Sequence, residues 1–513
     1  MADRTHIMLP VMLPGAIAVA AFLVAGVRGT PALAESKADI DPRASEVEYD
    51  PADFGPDPAY EEEAYDYEQQ LGIYGGKFAV PTPRPLLELG REIYQSGPFT
   101  KSYTFLGTKN LVAPTFSIYG DWRTAVAFND NGATELAQVA TRLNLDVDLK
   151  ITATERMHAF FGPLDKNGQF TRCEISGGDA GVAARGCKRI TDLNPDALFF
   201  EGDMGQILAG ATGEYNKLDL PFAFGLMPLL FQNGIWVEDA FTGFAATVPA
   251  LNSRTLDISN MDFTVFAGFD KVTTAAVLDN DGLVADHQVN LFGLTGFVEA
   301  GEVYYEFGYG YVDADDGLRD QSYHNVTAAF SRRYGGVLSN SIRLIGNFGQ
   351  DRQLNGRRNA NGLLILLENS LITSMPTTLV PYFNMFFGFD KPQSLARAGG
   401  AGGVLKNTGI NFETDGLTGF PKLDDTANDT YGGALGVSYL FGLDQQLVVE
   451  GATVQTNGRS NAVRVARGDE YAIGLRYQRP LTKAWIVRLD TMFGWRVRDE
   501  NLGGARLEIR RKF

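Results

Sequence analysis

The sequence predicts an all-β chain: a transmembrane antiparallel β-barrel of about 18 strands carrying an N-terminal extension that is disordered or forms a short helix. Three observations predict it. Close to the C-terminus the chain alternates with period two, with Ala505, Leu507, Ile509, Arg511 and Phe513 on one face and Arg506, Glu508, Arg510 and Lys512 on the other. Just before it, Trp485 and Trp495 bracket an alternating run ten positions long; at about 3.3 Å per residue and a tilt of about 40° that run covers roughly 25 Å, the height of an apolar band between aromatic girdles. The same alternation returns upstream, with Leu143, Leu145, Val147, Leu149 and Ile151 set against Arg142, Asn144, Asp146, Asp148 and Lys150. It returns again with Val303, Tyr305, Phe307, Tyr309 and Tyr311 set against Glu302, Tyr304, Glu306, Gly308 and Gly310. A soluble sandwich hides its apolar face, whereas a barrel in lipid encloses the polar one and leaves the apolar face outside.

The N-terminus reads as an export signal. Arg4 precedes an apolar run from Ile7 to Val27, and Ala32-Leu33-Ala34 forms an A-x-A site before Glu35, so residues 1–34 are expected to be removed near Ala34. Pro10 and Pro14 interrupt the run and disfavour an uncleaved anchor. Residues 35–70 hold 13 acidic and 2 basic residues with Pro42, Pro51, Pro56 and Pro58, out of a whole-chain net charge of −17. Such a tail cannot bury a core and is expected to be disordered: a solvated leader, a tether, a pore plug or a docking segment for a periplasmic partner. Residues 71–113 are read as a periplasmic linker, a short helix or a plug, with Pro85–Gln95 patterned as an amphipathic helix.

From Pro114 to Phe513 the chain reads as barrel. Short turns are expected near residues 481–483, 442–444, 375–377, 335–340, 301, 258–261, 216–220 and 151–153. Longer polar loops fall near 498–504, 457–468, 391–429, 351–361, 313–323, 278–287, 233–247, 164–196 and 129–135. Eight turns and nine loops join 18 strands; loss of the strand near 246–257 or the turn at 151–153 would leave 16. Cys173 and Cys187, the only cysteines, lie in loop 164–196 and read as one local disulfide or as two free thiols. Without a companion His or a second Cys pair they give no metal signature, and no cofactor is expected. The longest loop, 391–429, begins with a Gly-rich run at 399–403 and suits either an inward constriction or a surface cap.

In this register one wall of the lumen is basic: Arg476, Arg488, Arg496, Arg506 and Arg510, continuing across the seam to Arg123, Arg142 and Arg156. The facing wall carries Asp262, Asp270, Glu302 and Glu306. Opposed walls would orient polar or anionic solutes. Alternatively the charges keep a wide lumen wet, with Asp121, Asp146, Asp148, Asp490 and Glu508 neutralising the arginines. Of the histidines, His287 beside Asp286 and His324 near Asp320 fall at the outer rim, where a hydrolase would need a base; no nucleophile pattern accompanies them. The expected partners are outer-membrane lipid, a small polar or anionic solute, and the barrel-assembly machinery, which the terminal aromatic Phe513 resembles a signal for; no nucleic-acid partner is expected.

The leader, Phe513, the Arg142–Arg156 segment and the Gly225–Gly243 segment together resemble outer-membrane porins, and the arginine-rich lumen of an 18-stranded barrel resembles the alginate-export type of channel. The resemblance implies residence in the cell outer membrane and passive, non-enzymatic passage of an anionic solute, an acidic saccharide among them. By position, Arg123, Arg142, Arg156, Arg476 and Arg488 would be the selectivity residues. The other functional reading is a structural or adhesive barrel with a plugged lumen.

Overall fold

The computed structural model describes residues 83–90, 103–104, 111–152, 154–166, 168–177, 186–351, 358–442, 444–458 and 464–513. The expected signal and acidic tail lie outside the described residues. Eighteen strands close into one antiparallel barrel. They are β1 Thr115–Asp130, β2 Glu135–Lys150, β3 Arg156–Phe161, β4 Pro195–Asp203, β5 Pro221–Phe231, β6 Val237–Ser253, β7 Ile258–Asp270, β8 Val289–Ala300 and β9 Val303–Ala314. The second half comprises β10 Tyr323–Tyr334, β11 Leu338–Phe348, β12 Asn361–Leu371, β13 Leu379–Lys391, β14 Thr430–Phe441, β15 Gln445–Thr456, β16 Glu470–Pro480, β17 Trp485–Arg496 and β18 Leu502–Lys512. Each pairs with its sequence neighbours, and β18 closes on β1 from Gly503↔Asp130 to Lys512↔Asp121. Phe513 finishes the seam by exchanging main-chain hydrogen bonds with Gly120 at 2.9 and 3.1 Å.

The period-two pattern sorts side chains as alternation requires. Val126, Leu435, Ile473 and Leu507 are each more than half exposed on the outside, an arrangement that water would penalise and hydrocarbon favours. Among the described residues no helix is long and apolar enough to cross a membrane. Trp485 and Trp495 stand at the two ends of β17; Trp495 packs edge-on to Phe493 at 4.7 Å, and the outward Arg511 guanidinium lies 5.6 Å over the Trp485 ring. That cation–π contact keeps the one charged residue of the outer C-terminal face at the aromatic boundary.

Turns and loops alternate at the two ends, as the sequence implies, with four corrections. First, the expected loop 233–247 shrinks to residues 232–236, and β6 runs on to Ser253, so the turn falls at 254–257 instead of 258–261. The β6–β7 ladder absorbs the shift with register breaks, and Ala250 takes φ 55°; such bulges are invisible to a strict period-two count. Second, the link between β4 and β5 holds a helix, α1, Met204–Thr212, capped by the Asp203 carboxylate on the Gln206 N–H at 2.7 Å and ended by Gly213 at φ 75°. Those are standard start and stop residues for a helix. Third, Leu87–Gly90, expected to be helical, is a strand on the edge of β1, with Leu87 opposite Ile118 and Gly90 opposite Thr115. β18 stops at Asp121, leaving the first four residues of β1 with an open edge. A short isolated helix is marginal, and main-chain pairing to that edge wins. Fourth, β3 is short, and the outer half of β2 pairs instead with Gln169–Gly177 from the following loop. Cys173 and Cys187 are disulfide-bonded across the small hairpin that this segment forms with Gly186–Lys188.

The barrel interior toward the long-loop end is not empty. One buried apolar cluster joins Trp236, Phe241, Phe266, Val289, Tyr323 and Leu395. Another joins Leu364, Phe386, Leu405, Phe412 and Leu423. Both draw residues from the loop between β13 and β14, residues 392–429, which therefore folds inward.

Candidate functional site

The candidate site is the charged inner wall together with this inward loop. The first part of the loop is held by main chain: Leu395 donates to the Trp236 carbonyl at 2.8 Å, Arg397 to Thr273 at 2.8 Å and Ala398 to Glu238 at 2.9 Å. Trp236 is fully buried, donates its indole N–H to Asn325 at 2.9 Å, and lies against Gly308, where a Cβ would come within 2.6 Å of its ring. Further on, the Glu450 carboxylate on β15 accepts from the Ile410 and Asn411 N–H groups at 2.8 and 2.9 Å. The Thr418 carbonyl accepts from Asn129 on β1 at 2.6 Å and Gln138 on β2 at 2.5 Å. The loop thus follows the inner wall past β15 to β18 and over the seam to β1 and β2.

Between those anchors lies an ionic cluster. Asp490 on β17 accepts from Arg476 on β16 at 2.8 Å, from Arg488 at 2.8 Å and from Arg506 on β18 at 2.7 Å. The register makes this possible, because Arg476↔Asp490 and Asp490↔Arg506 are direct cross-strand partners. The loop adds two carboxylates: Glu413 to Arg476 and Arg488 at 2.6 and 3.4 Å, and Asp415 to Arg506 at 2.5 Å. Burial alone would raise the Asp415 carboxyl, but the Arg506 guanidinium and hydrogen bonds from Thr418 and Arg506 hold it below the ordinary carboxylate range.

Toward the short-turn end a second set follows. Arg510, Arg123 and Arg142 occupy one cross-strand row over β18, β1 and β2. Glu508 binds Arg123 through both oxygens at 3.1 and 2.6 Å, Asp165 reaches Arg142 at 3.2 Å, and Asp121 lies 3.5 Å from Arg510. Arg156 on β3 pairs with Glu201 on β4 at 2.9 Å. All of these arginines are more exposed than Arg506: its side chain is 2% exposed, against 17% for Arg123, 26% for Arg142, 33% for Arg510 and 38% for Arg156. Arg156 and Glu201 then line a cavity of about 670 Å³ beneath the α1 link, together with Tyr215, Lys217 and Thr247.

The expected acidic wall is less uniform. Asp262 accepts from the Ala250 N–H at 2.7 Å inside the β6 bulge. Glu306 faces Arg343 at 3.4 Å, and Arg343 is itself buried, 2.8 Å from Gln232. Asp270 lies at the rim, bonded to His287 at 2.7 Å. Glu302 is not a wall residue: Gly301 and Glu302 form a two-residue turn with φ 55° and 63°, and Glu302 is exposed at its tip. Positive φ at both positions is the type I′ pattern of a two-residue hairpin link, and the alternation of β9 does not extend into it. Arg496, at the outer end of β17, bonds the Glu500 carbonyl at 2.6 Å, away from the cluster.

Sequence reasoning missed Glu413, Asp415 and Arg343. Arg343 is signalled by its lone charge amid the apolar stretch of β11; the two loop carboxylates carry no periodic signal. Of the rim histidines, His287 pairs with the carboxylates of Asp270 and Asp286, and His324 bonds the Tyr309 hydroxyl at 2.8 Å and stacks on Phe348. Among the described residues no group of three or more His, Cys, Asp or Glu is placed to hold a metal.

No protein-family model matches this chain, and no curated protein matches it in sequence. Solved structures similar in fold include OccAB4 of Acinetobacter baumannii, at 11% identity and TM-score 0.49, covering 78% of this chain and 98% of that one. They also include OpdK of Pseudomonas aeruginosa with vanillate, at 11% and 0.49, covering 77% and 98%. OccK5 (OpdH) of Pseudomonas aeruginosa matches at 11% and 0.46, covering 78% and 98%. Likeness at this level assigns neither solute nor side-chain role to this chain.

Proposed function

We propose that this chain is a channel of the cell outer membrane through which small anionic or polar solutes pass without chemical change. The observation that carries the reading is the side chain sorting: apolar residues outward on all sides, and arginines of six neighbouring strands, β16 to β18 and β1 to β3, inward along one wall. Carboxylates sit within ion-pair reach of all of them, so the wall offers exchangeable hydrogen-bond donors and not a bare positive field. An anion moves along such a path by trading one guanidinium partner for the next, which requires binding that is neither absent nor tight. An acidic saccharide, the solute implied by resemblance to the alginate-export type, is the finer form of this reading: its carboxylate would follow the arginines and its hydroxyls the neighbouring amides.

The buried apolar clusters favour a second reading, a structural barrel with a filled lumen. Planar-bilayer recording of the purified protein separates the two. Discrete conductance steps with anion preference are expected; a membrane that stays at background current would leave the filled barrel standing. Replacing Arg142 and Arg488 by Ala is expected to shift the reversal potential toward cations, and an unmoved potential would remove the arginines from selectivity.

A further inference from the structure

The loop carboxylates Glu413 and Asp415 bind the same arginine cluster in different ways. Asp415 is built in. Its side chain is 11% exposed, accepts from the Thr418 N–H at 3.0 Å and from the Thr418 hydroxyl as well as from Arg506, and its own carbonyl takes the Gly419 N–H at 3.0 Å. Glu413 is 38% exposed, and the hydrogen bonds and ion pairs resolved for its carboxylate go to two guanidinium groups. Arg476 and Arg488 do not depend on it, since each also binds Asp490 at 2.8 Å. Withdrawal of Glu413 therefore orphans no buried charge, which is the usual cost of breaking a buried pair.

The charge count points the same way. Three arginines face three carboxylates, Asp490, Glu413 and Asp415, so the closed cluster is formally neutral, and without the Glu413 charge it is left one positive charge in excess. Free space beside it amounts to about 10 Å³, roughly the room for one water at most. A second carboxylate does not fit into that pocket beside Glu413, but one could take the place of the Glu413 carboxylate.

We propose that Glu413 is a tethered stand-in for the carboxylate of the passing solute. A small organic monoanion displaces it, taking the donors of Arg476 and Arg488 while Asp490 holds them in place, and Glu413 returns when the anion moves on. Arg476 and Arg488 are then the binding site and Glu413 sets its affinity. This inference rests on the anion-channel reading above, and its test is arranged to fail separately.

Gluconate is the probe, with glucose as its uncharged counterpart. Titration calorimetry on the detergent-solubilised full chain compares the wild type with Glu413→Gln, which keeps the shape and removes the charge; heat-dependent gel mobility verifies that each variant is a folded barrel. Gluconate is expected to bind Glu413→Gln about tenfold more tightly, the scale of one freed charge-assisted interaction. Glucose should show no such gain. Adding Arg488→Gln to Glu413→Gln should abolish the gain, and Asp281→Asn, a charge removed from a remote exposed loop, should produce none. Equal gluconate affinity in wild type and Glu413→Gln would overturn the proposal, as would a gain reproduced by Asp281→Asn. Conductance in KCl is recorded in parallel: conduction without an affinity gain sinks the Glu413 proposal and leaves the channel, whereas an affinity gain without conduction leaves the exchange site and sinks the channel.

Discussion

The inward loop is held differently at its two ends. Residues 393–398 lie on the apolar cluster around Trp236 and join the wall largely through neutral hydrogen bonds, main-chain ones among them, with a single ion pair from Arg397 to Glu238 at 3.4 Å. Residues 410–420 lie on the arginine cluster and join it mostly through side chains that carry charge. Apolar burial is non-directional and has no solute competitor in water, whereas an ion pair can be exchanged for another anion of the right shape. The difference suits a division of labour: the first end fixes where the loop sits, and the second offers the ion pairs that the proposed passage of an anion would exchange.

Cutting the apolar end should have the largest effect. Trp236→Ala removes a fully buried indole and takes the donor from Asn325 Oδ1, a change expected to lower stability by about 3–5 kcal/mol and to release the loop to proteolysis; denaturant titration and limited trypsin digestion would show it. A variant as stable as the parent would mean the loop is anchored elsewhere. Arg506→Ala should come next, at the lower end of roughly 3–5 kcal/mol, because Asp415 loses its guanidinium while Asp490 keeps two. Its loop should loosen near residue 415 and stay closed near Trp236, and uniform loosening would erase the distinction between the two ends.

Acid should weaken the hold at Asp415. The folded Asp415 carboxyl lies below its ordinary value of 3.8, so its contribution is present in full above the carboxylate range. It is lost as pH falls from there through the depressed folded value. Stability in that window should fall less steeply in Asp415→Asn, and identical acid profiles would show that Asp415 contributes nothing. The smallest effect is expected from His287→Ala. Hydrogen bonding to Asp270 raises the His287 pKa, so whatever it contributes is present below the ordinary histidine range and disappears as pH rises through the raised value. The pair is exposed and screened, and thermal unfolding should not shift resolvably.

The barrel was legible because its rule is repeated in nearly every strand. Alternation with the charge enclosed, tryptophans at both ends of β17, and turns alternating with loops required no knowledge of partners distant in sequence. What escaped were features decided by contacts between segments. Leu87–Gly90 has the spacing of a helix and becomes a strand because β18 ends early enough to leave β1 an open edge. The β6 bulge shifts a turn by four residues without altering composition. The arginines of the wall could be named from period two, but their partners could not. Asp490 and Glu508 are cross-strand neighbours visible once the register is known, while Glu413 and Asp415 arrive from a loop whose path no periodicity describes.

The most direct test of the central claim is the reversal potential of the wild-type protein in a planar bilayer under a tenfold KCl gradient. Discrete conductance steps and a potential displaced toward the chloride equilibrium value are expected. Steps with a potential displaced toward potassium would contradict the arginine path, and a bilayer that never leaves background current would contradict the channel.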